Sequence, residues 1–128
     1  MELQSTKLYL TKILYYLGFS PQTAGYRYIK DIVFLYIEKD CLKLIDIYPA
    51  IAKSFSETPQ LVEASVRNAL KRANSSNLNK KLESLMGTGI HGGSYNVTVS
   101  EFFGAISVYL KYFWDGKTTD LPPLVPIR

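Results

Sequence analysis

The chain has 128 residues, of which 47% are hydrophobic and 20% charged, and its formal net charge is +4. This length suits one domain with its own core, and the composition excludes a disordered tail, a fibre and a channel. Cys41 and His91 are the sole cysteine and histidine, so we expect no disulfide, metal or cofactor, and a reducing, cytoplasmic location. Lys7 and Lys12 interrupt the first apolar stretch, which argues against a signal peptide and a membrane partner.

Helical periodicity dominates the chain and predicts an all-α single domain of about six helices. We expect this domain to span residues 1–116 and a proline-rich tail to occupy 117–128. The first helix is predicted from about Thr6 to Leu17, with Gly18 as its C-terminal stop. The second is predicted from about Ala24 to Lys39, where a wide apolar face is typical of a central core helix.

Two prolines and a threonine predict a helix-turn-helix in the middle of the chain. Pro49 suits the first turn of a helix, because that position needs no intrahelical amide donor. Thr58 is a good N-cap and Pro59 a good first residue for the next helix, which runs to about Ser75. A connection of about three residues between the two helices is typical of the helix-turn-helix motif.

The helix at 59–75 has a buried face and a polar face. The apolar residues that share one side at helical spacing are Val62, Val66, Ala69, Leu70 and Ala73. The opposite side is predominantly polar and carries Ala64, Asn74 and Ser75 together with the residues that follow. The side chains expected to meet base edges are Gln60, Glu63, Arg67 and Asn68. The cations expected to contact phosphates are Lys71, Arg72, Lys80 and Lys81. Residues 59–85 hold five cations against two acids, so most of the excess positive charge lies here.

The last third of the chain predicts a short helix, a loop and a final helix. Leu78 starts an amphipathic pattern that stops at Gly87, and the glycine-rich stretch 87–96 is expected to be a loop or a small irregular hairpin. Thr98 and Glu101 fit a capping box for a helix that begins near Val99 and ends near Trp114. That helix is apolar on more than one side, which predicts self-association. The residues expected to mediate it are Phe103, Tyr109, Tyr112 and Trp114.

Three motifs in order resemble one known family. They are LGFSPQTAGYRYIKDIV at 17–33, IYPAIAKSFSETPQLVEASVRNALKRA at 47–73 and TVSEFFGAI at 98–106. Together they resemble the C-terminal DNA-binding effector domain of the master regulator of sporulation initiation, stage-zero sporulation protein A. The resemblance implies six helices, a helix-turn-helix formed by 48–55 and 59–75, and binding to a short promoter box as a tandem pair.

The resemblance also identifies where this chain departs from its family. Glu63 and Arg67 match polar positions of the family's recognition helix, and Asn68 stands where the family usually has histidine. Leu61 and Ala64 occupy positions where the family typically has arginines. Because only about ten residues precede the matching region, where sporulation regulators carry a receiver domain, we expect no phosphorylation switch.

These patterns predict a DNA-binding transcriptional regulator whose 59–75 helix enters the major groove, as a homodimer or a tandem pair on double-stranded DNA. The alternative is a protein-interaction module that keeps the fold without reading bases and pairs with itself or with another regulator. An enzyme is not expected, because the sequence lacks a nucleophile-base or metal-ligand pattern.

Overall fold

The computed structural model describes residues 3–38, 43–86 and 96–116, with side chains from Thr6 onward except that of Met86. Six α-helices and one π-helical turn make up the regular structure of these residues, without a strand, and this confirms the all-α prediction. The elements are α1 (Leu3–Tyr16), α2 (Ala24–Glu38), α3 (Leu44–Phe55), α4 (Pro59–Ser75), α5 (Leu78–Met86), α6 (Val99–Val108) and the π-helical turn (Tyr109–Phe113). The expectations for Cys41, His91 and the tail at 117–128 lie outside the described residues, as does the glycine-rich stretch 87–96 except for its last residue.

Helix α1 ends as the sequence predicts. Gly18 has a φ of +102°, a left-handed conformation that glycine adopts without a steric penalty. The amide of Phe19 donates to the carbonyl of Leu14 at 2.9 Å and so closes the last turn of the helix. The chain can therefore turn toward α2 while Leu17 and Phe19 stay buried in the core.

Helix α2 is the centre of the domain and contacts α1, α3, α4 and α6. Its crossing with α4 is close because Gly25 has no side chain. A Cβ atom at Gly25 would lie 2.7 Å from the carbonyl oxygen of Ser65 and 2.9 Å from the Cβ of Ala69. The position of α4 thus depends on a glycine at this crossing.

Helix α3 begins earlier than the sequence pattern predicts. Its first residue is Leu44, so Pro49 lies inside the helix and its prediction as a first-turn residue is wrong. The amides of Asp46 and Ile47 both donate to the carbonyl of Lys43, which shows that the helix is already formed before the proline. An internal proline removes one helical hydrogen bond, and burial of neighbouring apolar side chains such as Ile47 offsets that loss.

The predicted helix-turn-helix is confirmed in α3, α4 and the three residues between them. Ser56 adopts a left-handed φ of 56° and ends α3. Thr58 is the N-cap of α4, where its Oγ1 accepts a hydrogen bond from the amide of Leu61 at 3.2 Å. All five residues of the predicted apolar face of α4 are buried. The second helix of the motif is therefore held by its inner face and exposes the other.

Helix α6 starts with the predicted capping box. The Thr98 Oγ1 accepts from the amide of Glu101, and the Glu101 carboxylate accepts from the amide of Thr98. The α-helical geometry ends at Val108, and the chain continues as the π-helical turn instead of as one helix to Trp114. Within the described residues, no helix is both long and apolar enough to cross a membrane.

Candidate nucleic-acid interface

The outward face of α4 forms the candidate interface. Four of the residues predicted on this helix from its polar pattern, Gln60, Arg67, Asn68 and Lys71, are exposed along it. Arg72 is exposed on its flank, and Glu63 is partly exposed. Ala64 lies in the middle of the face, where a small side chain allows another surface to come close. One face of a single helix therefore presents donors, acceptors and cations together.

Glu63 and Arg67 form an ion pair one helical turn apart on α4. The Arg67 side chain is 66% exposed and the Glu63 side chain 44% exposed. An exposed i, i+4 pair of this kind contributes only about 0.3–0.5 kcal/mol to stability. Its main effect is to direct the guanidinium toward the start of the helix, where base-reading residues of helix-turn-helix proteins lie.

A groove lies beside this ion pair, between the first turns of α3 and α4. Its volume is about 640 Å³, and it is lined in part by Ile45, Tyr48, Glu63 and Arg67. Burial raises the pKa of Tyr48 to about 12, and the Glu63 carboxylate adds to the rise while Arg67 opposes it. The sequence pattern did not identify Tyr48 as part of the site. Because α3 starts at Leu44, Tyr48 lies one helical turn after it, on the side of α3 that lines the groove. The sequence pattern does not predict this start.

Asn74 belongs to a structural contact and not to the polar face on which the helical pattern places it. Its Nδ2 donates to the carbonyl of Val97 at 3.0 Å, and its Oδ1 accepts from the Val97 amide at 2.8 Å. The Oγ of Ser75 donates to the carbonyl of Arg72. Asn74 is therefore only partly exposed, whereas Lys71 and Arg72 just before it remain exposed on α4.

The two predicted cations on α5 differ in their surroundings. Lys80 is exposed, whereas Lys81 is partly buried. The Nζ of Lys81 lies 3.8 Å from the point that a Cβ of Gly18 would occupy, so this side chain lies against the end of α1. Lys80 is thus open to a partner, while Lys81 is held closer to the protein.

The prediction of a self-association surface needs correction at two residues. Phe103 is fully buried and stacks on Tyr36 with ring centroids 5.7 Å apart. Trp114 is buried and stacks on Tyr9 at 4.6 Å. Both side chains belong to the core. Phe103 packs against α2, and Trp114, which follows the π-helical turn, packs against α1. They are therefore not available to a second copy in this conformation.

The remaining two predicted residues have different environments. The Tyr109 hydroxyl forms a 2.6 Å hydrogen bond with the Tyr9 hydroxyl and is partly buried. Tyr112 is 71% exposed, and its exposed apolar neighbours are Val108 and Phe113. An apolar patch is present at the end of α6, but it is smaller than the sequence pattern predicts.

Comparison with known protein families shows what this chain is similar to. The family described as "Sporulation initiation factor Spo0A C terminal" matches residues 10–110. The match begins within α1 and ends within the π-helical turn, so it includes both helices of the helix-turn-helix.

Proposed function

This chain belongs to the Spo0A C-terminal family of DNA-binding effector domains, and we propose that it is a sequence-specific transcriptional regulator that inserts α4 into the major groove. The observation that carries the proposal is the division of α4 into a buried face and an exposed face with donors and cations. A helix held in this way can enter a groove about 12 Å wide without disturbing the core. Action on DNA implies a cytoplasmic location.

The polar and charged residues predicted on α4 and α5 divide into two roles. Gln60, Glu63, Arg67 and Asn68 read base edges, because amide, carboxylate and guanidinium groups match the donor and acceptor patterns of the major groove. Lys71, Arg72, Lys80 and Lys81 contact phosphates and supply the salt-dependent part of the affinity. The ion pair with Glu63 holds Arg67 in an ordered orientation before DNA arrives.

Two copies bind as a homodimer or a tandem pair, with Tyr112 as the central contact of the patch at the end of α6. The exposure of Tyr112, Val108 and Phe113 supports this, since a monomer gains nothing from apolar side chains in water. Sedimentation of the protein with and without DNA tests it. Tyr112→Ser is expected to reduce pairing, and Tyr15→Ser, a change at an equally exposed tyrosine on α1, is not. Unchanged pairing in Tyr112→Ser would remove this patch from the proposal.

The experiment that tests DNA reading starts from selection of bound sequences out of a random duplex pool. Fluorescence anisotropy then compares a selected site with random duplex at two salt concentrations. Arg67→Ala is expected to reduce the preference for the selected site. Lys71→Ala is expected to weaken both duplexes alike and to lower the salt slope by about 1. Arg27→Ala, on the exposed side of α2, controls for the loss of one positive charge.

The alternative function is that of a protein-interaction module. The groove between α3 and α4 favours it, because Ile45 at its edge is 76% exposed. Failure to bind any duplex at low salt would support this alternative and contradict DNA reading. An equal loss on both duplexes in Arg67→Ala and Lys71→Ala would contradict the assigned roles while leaving DNA binding in place.

A further inference from the structure

Two apolar side chains lie on the face of α4 that otherwise carries polar and charged groups. Leu61 is the third residue of the helix and is 45% exposed, and Ala64, one turn later, is also exposed. Among the described residues, Leu61 is the one large apolar side chain of α4 outside the core. The inner face of the helix is already filled by Val62 and its neighbours, so packing within the domain does not explain Leu61.

We propose that Leu61 and Ala64 read thymine by contact with its 5-methyl group in the major groove. Thymine is the base that presents an apolar group on the major-groove edge, and aliphatic side chains are suited to contact it. The inference rests on the proposed function and names a chemical feature of the site that α4 recognises.

The surroundings of the two side chains favour DNA over an apolar protein surface as their partner. Arg67 and Lys71 are exposed on the same face, and Arg72 is exposed on its flank. Burying Lys71 and Arg72 against an apolar protein would leave these two cations without counter-charges, which costs more than two small apolar contacts contribute. Arg67 keeps its ion pair with Glu63 in either case. In a major groove the cations meet phosphates while the apolar groups between them meet the base edges.

The spacing along α4 limits where the thymines can lie. Leu61 and Ala64 are three residues apart, so they are separated by about 4.5 Å along the helix axis. This distance is close to the rise of about 3.4 Å between base pairs. The two thymines are therefore expected at adjacent or next-but-one positions. Asn68 follows Leu61 after two turns on the same side, where its amide is suited to bind adenine in a bidentate manner.

The test removes methyl groups from the DNA and the leucine side chain from the protein in a double-mutant cycle. Each thymine of a site selected by the full chain is replaced in turn by deoxyuridine, which lacks only the 5-methyl group. For the wild type, deoxyuridine at one or two neighbouring positions is expected to weaken binding about three- to fivefold. In Leu61→Ala, replacing thymine by deoxyuridine at one of these positions is expected to cause no further loss of affinity.

Two further variants complete the design. Ala64→Gly is expected to abolish the effect at the second position, with circular dichroism used to show that the helix remains formed. Leu8→Ala removes an exposed leucine from α1 and is expected to retain both deoxyuridine effects.

Three results would overturn the inference while leaving the proposed function intact: a selected site without thymines in the contacted segment, no loss with deoxyuridine at any position, or equal loss on thymine and deoxyuridine sites in Leu61→Ala. Failure of the wild type to bind any duplex would instead overturn the proposed function, and the inference with it.

Discussion

The side chain of Asn74 pairs with the backbone of Val97 through two hydrogen bonds, one in each direction, at 3.0 and 2.8 Å. This pair joins the last turn of α4 to the segment that leads into α6. Val97 is buried, so its amide and carbonyl need partners within the protein. Asn74 supplies both and fixes the end of α4 relative to the capping box of α6.

Asn74→Ala is expected to lower the free energy of unfolding by about 1–3 kcal/mol, because it leaves the two backbone groups of Val97 without their partner. Chemical denaturation measures this loss. Asn68→Ala is the matched control, since it makes the same substitution on the same helix at an exposed residue and should change stability by less than about 0.5 kcal/mol. Equal effects of the two substitutions would contradict the structural role of Asn74.

The case of Asn74 shows what helical periodicity can and cannot predict. The pattern correctly identifies the buried face of α4, because that depends on residues of one helix. It also places Asn74 beside Arg67 on the polar side. The contact of Asn74 with Val97, 23 residues later, depends on tertiary structure, which the pattern of one helix cannot predict. The caps at Thr58 and Thr98 are confirmed for the same reason that the faces are, since they depend on local hydrogen bonds.

The errors in the last helix and in α3 have a similar origin. In a sequence, aromatic residues such as Phe103 and Trp114 are equally consistent with a core and with an interface. The packing of α1 and α2 against these two rings shows that they belong to the core. Pro49 favours a helix start by local rules, but α3 begins at Leu44 and buries Ile47 before the proline is reached. The helical pattern of α4 predicts the solvent exposure of the base-reading candidates. It cannot predict the groove that contains Tyr48, because that groove forms only where α3 and α4 pack together.

Gly25 and Gly104 give a matched pair for testing the close crossing of α2 and α4. Gly25→Ala is expected to destabilise the domain by about 1–3 kcal/mol, since its Cβ would lie 2.7 Å from the Ser65 carbonyl oxygen and the helices must separate. At Gly104, in α6, a Cβ meets no described atom within 4 Å. Gly104→Ala is therefore expected to be neutral or to stabilise by up to about 1 kcal/mol. Thermal unfolding of both variants measures the difference, and a stable Gly25→Ala protein would contradict the tight crossing.

Tyr48 is expected to contribute to alkaline unfolding. Its pKa is raised from 10.0 to about 12, so the folded protein keeps a proton that the unfolded chain releases. The stabilisation is complete below pH 10 and is lost as the pH rises from about 10 to 12. In Tyr48→Phe the free energy of unfolding should therefore fall less steeply over this range, with Tyr9 and Tyr36, whose pKa values are also raised, still contributing. Urea denaturation at a series of pH values checks this, and parallel curves for the two proteins would contradict it.

Glu63 is expected to limit binding to random DNA and to improve discrimination. Its carboxylate holds the Arg67 guanidinium in an ion pair, and its negative charge repels phosphates. Glu63→Gln should therefore bind random duplex more tightly than the wild type while its preference for a selected site decreases. Stability should change by less than about 0.5 kcal/mol, because the pair is exposed.

Glu38→Gln, at the exposed end of α2, removes the same charge away from α4 and separates a local effect from one of net charge. Anisotropy titrations at two salt concentrations measure the affinity of each protein for selected and random duplex. If the carboxylate of Glu63 acts through Arg67 and the phosphates, raising the salt should reduce the difference between Glu63→Gln and the wild type on random duplex, because screening weakens exposed charges. A Glu63→Gln protein that binds random duplex no more tightly than the wild type would contradict the repulsion assigned to this carboxylate.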